Sequence, residues 1–352
     1  MLIGLITNTY DIRKGTGIAR YTKELLKGLK CKGFSVKLIH SAPPNIKLGK
    51  PFNHLVKLPL KTILSIRDCD VIHAMTPVAA FSFPFINKPK IVTHHELSFL
   101  FPYSHGKPSY VTIFSPLWYK IGTMCDRIIT PSTLTKKDLI KYLNIPEDRI
   151  SVTNLGVDEI FRPINLKENS KKDTFIIGYL GMLSYKKRVD YLIKSFWYLK
   201  NFHPEVEIRL QIYGKKTSEY YFHLVKLVRK LDLEKVVRFM GFTPDIVGAY
   251  NSFDVFVFPS EWEGFGLPIL EAQRCGVPVV VRSDAHLPDE VVKWCVKAKS
   301  EEDMAEKLYQ LLVDDKLRKK LIIEGMNYSK QFTWEKTVSE TIKVYEEVIN
   351  SR

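Results

Sequence analysis

Residues 255–281 read VFVFPSEWEGFGLPILEAQRCGVPVVV, and this stretch decides the fold. Two apolar strands enclose a loop with two glycines and a short helix. That helix begins near Pro268, because proline suits the first helical turn, and Gly276 follows it as a C-terminal cap. A buried strand, a glycine loop, a helix and a second buried strand are typical of a parallel α/β sheet.

The same alternation of strand and helix continues on both sides of this stretch. Helical periodicity fills several gaps, as at residues 18–29, which follow a turn that carries Gly15 and Gly17. The apolar runs predict strands at 2–7, 35–40, 70–74, 90–93, 127–130 and 150–153, and then at 175–180, 207–213, 236–240, 255–259 and 277–281.

The length of 352 residues is too great for a single hydrophobic core, which stops growing at roughly 250–300 residues. The polar stretch RPINLKENSKKD at 162–173 has no apolar period and predicts a linker. We therefore expect two Rossmann-like domains, at 1–164 and 165–335. In open parallel sheets ligands bind beyond the carboxyl ends of the strands, so we expect the two sheets to face a central cleft.

The composition is that of a globular protein, with 45% hydrophobic and 26% charged residues. The net charge of +15 is uneven, because residues 1–162 hold 23 basic and 11 acidic side chains, a net +12. This excess predicts an anionic partner for the first domain: a lipid surface, an acidic substrate or nucleic acid. The five cysteines show no CxxC spacing, and the N-terminus lacks a basic signal region, so we expect a cytoplasmic location.

Two loops carry the residues most suited to chemistry. Glu263 and Glu271 are eight positions apart, around glycines that let backbone amides approach a ligand at a helix N-terminus. A carboxylate there can accept two hydrogen bonds from the vicinal diol of a ribose or hexose. Lys187 and Arg188 precede another helix, where cations oppose the helix dipole unless an anion such as a diphosphate lies beside them.

Other candidate residues follow the strands of the first domain. His94 and His95 come after the strand at 90–93, where a histidine can hydrogen-bond a hydroxyl or accept a proton. Asp68 and Asp70 form a DxD pattern, but they precede their strand and so lie at its amino end, away from the predicted cleft. We expect no metal site.

Several segments, taken together, resemble the GT-B glycosyltransferases of family four, the retaining group-one transferases. The spacing from Glu263 to Glu271 with GFGLP inside it carries most of the resemblance. The other similar segments are GTGIARYTKELL, VTHHELSFLFP, RIITPSTLTKKDL, NLGVDEIFRP, GYLGMLSYKKRVDYLI, VVRFMGF and, near the end, FTWE at 332–335. The resemblance implies a GT-B fold in which 1–164 is the acceptor-side domain, 165–335 binds the donor, and a helix at 336–352 crosses back to the first domain.

The resemblance also implies a role for each matching residue. Lys187, with Arg188 nearby, would neutralise the donor diphosphate, and Glu271 would hold the ribose hydroxyls. Glu263 and the loop Gly264, Phe265, Gly266 and Leu267 would bind the donor sugar. Gly17 would line the diphosphate and acceptor side, and His95 would lie near the transferred sugar. We expect His95, Lys187 and Glu263 to form the catalytic set.

Two positions depart from the family pattern. The family has an arginine directly after the glycine of the phosphate loop, and this chain has Met182; Arg188 is the candidate that compensates. The common His-Asp pair is His95-Glu96 here, which preserves the chemistry.

The implied function is retaining transfer of a hexosyl group, mannose or glucose, to a glycan or lipid-linked acceptor. GDP-mannose or a UDP-hexose is the expected donor, with no cofactor and no metal. A nucleotide-sugar epimerase or a phosphorylase-like enzyme is an alternative on the same fold. A basic nucleic-acid-binding protein is an alternative of another class, but no aromatic–basic stacking motif supports it. The basic first domain predicts peripheral docking on the anionic inner face of a membrane.

Overall fold

The computed structural model of this chain describes residues 1–8, 17–40, 52–97, 110–164, 174–216 and 218–352, with the backbone alone for 110–115. The chain forms two compact units, each containing one six-stranded parallel sheet. The first unit comprises Met1–Gly156 and Phe332–Arg352, and the second comprises Val157–Gln331. Gly15 of the predicted turn, residues 98–102 of the family-like segment VTHHELSFLFP and the 165–173 part of the predicted linker lie outside the described residues.

The sheet of the first unit has the strand order β2-β1-β3-β4-β5-β6. Its central strand β3 is buried at every position, so both faces of the sheet are covered, as is usual for parallel sheets. The strands are β1 (Leu2–Thr7), β2 (Ser35–His40), β3 (Val71–Ala74), β4 (Lys90–Thr93), β5 (Arg127–Thr130) and β6 (Ile150–Val152). The helices are α1 (Gly17–Cys31), a π-helical turn (Asn53–Lys57) that runs into α2 (Leu58–Ser65), α3 (Tyr110–Gly122) and α4 (Thr133–Leu143), with short 3-10 turns at Pro77–Ala80, Phe83–Phe85 and Glu147–Arg149.

The sheet of the second unit has the order β12-β11-β10-β7-β8-β9. Its core is apolar and includes Ile177, Phe196, Leu210 and Val257, all fully buried. The strands are β7 (Phe175–Leu180), β8 (Ile208–Tyr213), β9 (Val237–Gly241), β10 (Val255–Phe258), β11 (Val279–Arg282) and β12 (Val296–Ala298). The helices are a 3-10 turn (Tyr185–Lys187), α5 (Val189–Phe202), α6 (Glu219–Lys230), α7 (Ile246–Ser252), α8 (Leu267–Arg274), α9 (Asp289–Val292), α10 (Glu301–Val313) and α11 (Asp315–Ser329).

The last helix, α12 (Trp334–Asn350), belongs to the first unit and packs against α1. Gly28 permits this close packing, because a Cβ atom there would lie 2.4 Å from Cγ2 of Val338. The helix is also tied by hydrogen bonds: the Tyr345 hydroxyl lies 2.7 Å from Nδ1 of His73. None of the described helices is both long enough and apolar enough to cross a membrane.

All eleven predicted strands are present, with ends within about two residues of the predicted ones. The edge strand β12 was not predicted, because its three residues include an exposed lysine and carry no apolar run. Residues 157–164, the end of the predicted first domain, lie in the second unit. The reason is local packing: the buried Phe161 ring lies 5.9 Å from that of Tyr250, and the Ile164 amide donates to Asn251 at 2.9 Å.

Candidate active site

The candidate site of the second unit lies where its sheet reverses strand order. Strands β7 and β10 are neighbours, while the chain continues to opposite sides of them through β8 and β11. Such a topological switch point opens a crevice at the carboxyl ends of the two strands. The loop 181–188 follows β7 and the loop 259–266 follows β10, so both predicted chemical loops begin at this crevice.

Lys187 and Glu263 form an ion pair across this crevice. Nζ of Lys187 donates to Oε1 of Glu263, and the two side chains are only 15% and 12% exposed. The ammonium also lies 5.4 Å from the centre of the Phe258 ring. Burial by itself would raise the pKa of Glu263, but the charges of Lys187 and Lys186 outweigh it and hold that pKa below its usual value. The Glu263 carboxylate is therefore ionised at neutral pH.

Backbone hydrogen bonds hold the two loops together. The Glu261 amide donates to the Lys186 carbonyl at 3.0 Å, and the Glu263 amide donates to the His286 carbonyl at 3.1 Å. The ring of Trp262 also stacks on that of His286, with centroids 3.7 Å apart. His286 was not predicted as part of the site, since it follows β11 and only the sheet brings it beside Glu263. The loop is thus fixed on both sides before any ligand binds.

The glycine loop leads into α8 as the sequence predicts. Gly266 has φ 103° and ψ 44°, a conformation open to glycine but strained for other residues, and Pro268 lies in the first turn. Gly264, Phe265 and Gly266 are buried, and Leu267 is partly exposed at the start of the helix. The loop therefore places backbone amides at a helix N-terminus, which favours anions.

Replacing Gly266 with alanine is expected to destabilise the second unit by about 1–3 kcal/mol, because alanine does not tolerate this backbone conformation. Urea unfolding followed by circular dichroism measures the change. Gly17→Ala is the control, since no described atom lies within 4 Å of a Cβ there and its φ is not positive. Equal stability of the two variants would contradict the role of Gly266.

Glu271 lies in α8 and is almost fully buried. Its Oε2 accepts a hydrogen bond from the hydroxyl of buried Tyr250 at 2.9 Å. Tyr250 was not predicted from the sequence, because it comes from α7 and carries no local pattern. The hydrogen bond from Tyr250 thus orients the Glu271 carboxylate. Glu271 lies in α8, whereas Glu263 lies in the loop that precedes this helix.

Arg188 is the N-terminal cap of α5 and has a left-handed backbone, with φ 45° and ψ 42°. Its guanidinium contacts Asp190 at 3.4 Å, and Asp190 also accepts from the Tyr220 hydroxyl at 2.5 Å. Burial lowers the pKa of Arg188, but Asp190 more than offsets this and raises it, so the charge is retained. Met182 is 68% exposed and carries no charge, so the cations of this loop are Lys186, Lys187 and Arg188.

Gly17 and His95, the other predicted site residues, belong to the first unit. Gly17 is the first residue of α1, and His95 follows β4. Nε2 of His95 lies 3.0 Å from the Met75 carbonyl oxygen, which can only accept, so this nitrogen carries the proton. Burial lowers the pKa of His95 to about 4 and leaves a neutral ring whose Nδ1 can accept a hydrogen bond.

Asp68 and Asp70 lie before β3, at its amino end, as the sequence predicts. Oδ2 of Asp70 accepts from the Leu2 amide at 2.7 Å, which fixes it at the start of β1 as well. Within the described ranges, no group of three or more His, Cys, Asp or Glu side chains is placed to hold a metal ion.

Comparisons with known protein families match nearly the whole chain. Residues 15–160 match the family described as Glycosyltransferase Family 4, and residues 161–328 match Glycosyl transferases group 1. The chain is 28% identical to the O-antigen chain mannosyltransferase B of Escherichia coli, over 94% of this chain and 96% of that protein. It is 28% identical to the D-inositol 3-phosphate glycosyltransferase of Corynebacterium aurimucosum, over 64% of this chain and 58% of that protein.

Solved structures show the same fold at lower identity. The sucrose-phosphate synthase of Thermosynechococcus elongatus has a TM-score of 0.84 at 18% identity, with full coverage of both chains. The HepE protein of Anabaena in complex with UDP-glucose has a TM-score of 0.74 at 17% identity, over 98% of this chain and 100% of that one. With both halves matched by family and by fold, this chain belongs to the group-one, family-four glycosyltransferases and has the GT-B fold.

Proposed function

We propose that this glycosyltransferase moves a hexosyl group, mannose or glucose, from a nucleoside-diphosphate sugar to a glycan or lipid-linked acceptor, with retention of anomeric configuration. The observation that carries the proposal is the largely buried Lys187–Glu263 pair at the switch point of the second unit. A mannosyltransferase among the relatives and a structural neighbour bound to UDP-glucose support the two donor classes.

In the proposed reaction, Lys187 forms an ion pair with the donor diphosphate in place of its ion pair with Glu263. The ammonium and the amides at the start of α8 stabilise the charge that develops on the leaving diphosphate, an electrostatic role that needs no metal ion. Arg188 adds positive charge at the end of the same loop. Glu263 then accepts hydrogen bonds from hydroxyls of the donor sugar, which replace its contact with Lys187, because a carboxylate offers about four acceptor positions.

The nucleotide is held by Glu271 in this proposal. A carboxylate can accept about four hydrogen bonds, so Glu271 can bind the ribose diol as well as Tyr250. His95 serves as a neutral acceptor for a hydroxyl of the transferred sugar. All five cysteines are free, which is typical of a reducing compartment, and we place the enzyme in the cytoplasm.

Thermal unfolding with UDP, GDP and ADP, and with their hexose conjugates, tests the proposal directly. A ligand at a hundredfold excess over Kd stabilises the folded state by about 2.7 kcal/mol. We expect one nucleoside diphosphate to raise the Tm and to do so equally with EDTA. Retention is then tested by NMR of the product anomer. The proposal fails if no nucleotide raises the Tm, and its metal independence fails if EDTA removes the effect.

The role of Glu271 predicts a selective loss of nucleoside binding. Glu271→Ala should weaken nucleoside-diphosphate binding about 10- to 100-fold, because hydrogen bonds to a charged group contribute about 1.5–3 kcal/mol. Inorganic pyrophosphate should bind as before, since its contacts lie at Lys187. Titration calorimetry measures both ligands, and Tyr250→Phe should give a smaller loss of the same kind.

Tyr309→Phe is the matched control, because Tyr309 stacks on His203, and both residues lie outside the two loops of the site. If pyrophosphate binding falls as much as nucleotide binding in Glu271→Ala, the residue supports the loop as a whole and does not hold the ribose.

A further inference from the structure

The helical segment 52–65 of the first unit carries an exposed apolar stripe. Phe52, Leu60 and Leu64 are 57%, 56% and 81% exposed, and Val56 and Ile63 are also exposed. These positions recur at intervals of three and four residues, so they lie along one face of the segment. A surface helix of a globular protein normally has polar side chains on its outer face.

The opposite face of this segment is anchored in the first unit. Asn53, Leu58 and Thr62 are buried, and Leu58 belongs to the apolar core of the first unit. Nζ of Lys61 donates to the His40 carbonyl at 2.7 Å, which ties the segment to the end of β2. The exposed stripe is therefore held outward by a packed helix, and five large apolar side chains face away from the core.

Basic residues accompany the stripe, and acidic residues do not. Lys57, Lys61 and Arg67 are all exposed, and the segment 52–65 contains no Asp or Glu; the next acidic residues are Asp68 and Asp70. This local charge is part of the net +12 of residues 1–162. Apolar side chains flanked by cations match the boundary between acyl chains and anionic headgroups. A protein partner would need a groove of matching shape with an apolar floor and acidic groups around it. An anionic bilayer has apolar acyl chains beneath anionic headgroups and needs no matching shape.

We infer that the segment 52–65 docks the first unit on an anionic phospholipid bilayer. The apolar stripe enters the headgroup–acyl boundary, and the exposed Lys57 and Arg67 contact lipid phosphates. This inference rests on the proposed function, since docking would bring the enzyme to a lipid-linked acceptor. The vesicle measurement below uses neither donor nor acceptor, so it succeeds or fails independently of glycosyl transfer.

Co-sedimentation of the full chain with vesicles tests the inference. We expect at least tenfold stronger binding to phosphatidylcholine vesicles with about 30% phosphatidylglycerol than to phosphatidylcholine alone. Leu60→Ser/Leu64→Ser should lose roughly tenfold or more of this binding, because two exposed leucines no longer enter the boundary. Lys57→Gln/Arg67→Gln should lose a similar factor and should respond less to salt, while the Lys61 contact with His40 is kept.

The matched control is Phe222→Ser/Ile323→Ser, which removes two apolar side chains of similar exposure from the second unit. Its binding should equal that of the unchanged chain. Circular dichroism melting should show that all variants are folded, and transfer to a water-soluble acceptor should persist in Leu60→Ser/Leu64→Ser.

Three results would overturn the inference. They are equal binding to neutral and anionic vesicles, unchanged binding of Leu60→Ser/Leu64→Ser, and an equal loss in the control variant. A dimer detected by light scattering that disappears in Leu60→Ser/Leu64→Ser would assign the stripe to a second copy of the chain instead. Vesicle binding without any nucleotide binding would retain the docking surface and reject the proposed function.

Discussion

Lys187→Met is expected to lower the rate of hexosyl transfer about 10²- to 10³-fold, the usual loss when one preorganised group that stabilises transition-state charge is removed. The larger part of the loss should lie in kcat, because the charge on the diphosphate grows as the sugar–phosphate bond breaks. Binding of diphosphates should weaken far more than binding of nucleosides. Steady-state kinetics and calorimetry measure the two effects, and transfer at the original rate would reject Lys187 as the diphosphate cation.

The same variant should also lose stability, about 3–5 kcal/mol at pH 7.5, because Glu263 is left as a buried charge without its partner. Burial, the largest single influence on this carboxyl, is then opposed chiefly by Lys186, and we expect it to raise the pKa of Glu263 above its unfolded value. A raised pKa means that the folded state binds the proton more tightly, so the loss should shrink as the pH falls toward 5. Urea unfolding at the two pH values tests this sign.

Two further variants separate the effect of the unpaired charge on stability from the effect of the missing cation on the rate of transfer. Lys187→Met/Glu263→Gln should regain most of the stability, because no unpaired charge remains, but should stay inactive. Lys194→Met is the control: Lys194 is an exposed lysine that lies 3.6 Å from Glu301, and its loss should change stability by less than about 1 kcal/mol. Recovery of transfer in the double variant would show that the cation is dispensable.

The second large effect is expected in acid, in the first unit. Burial lowers the pKa of His73 and His94 to about 3 and that of His95 to about 4. These values lie below the unfolded value of about 6.5, so the unfolded chain binds the protons first as the pH falls. These histidines therefore leave the free energy of unfolding unaffected above about pH 6.5. Between about pH 6.5 and pH 4 they lower it, by up to about 4 kcal/mol per pH unit, because unfolding takes up as many as three protons.

His94→Leu tests how much one of these three histidines contributes to the loss of stability in acid. Among the residues that the structure describes, neither ring nitrogen of His94 has a hydrogen-bond partner, so an apolar side chain of similar size should leave stability at pH 7.5 unchanged or higher. The acid slope should fall by about 1.4 kcal/mol per pH unit. His73→Leu is the contrast, because it breaks the contacts with Tyr345 and Thr93 and should destabilise at every pH. An unchanged slope in His94→Leu would contradict this account.

The local patterns of the sequence were sufficient for the strands and for the two loops. Fully buried parallel strands are continuous apolar runs, so β7 and β10 stand out against their glycine-bearing loops. The short edge strand β12 has no such run and was missed. The segment 157–164 looked like the end of the first domain, but its partners Tyr250 and Asn251 are distant in sequence and lie in the second unit.

The sequence by itself determined which residue types stand at the carboxyl ends of the strands, because strand ends and glycine turns are read from neighbouring residues. Only the tertiary structure decided which of them meet. Lys187 and Glu263 are 76 positions apart and pair because β7 and β10 are neighbours in the sheet. Tyr250 reaches Glu271, and His286 reaches the Glu263 loop, for the same reason: strand order is set by packing of the whole sheet, which no local pattern encodes.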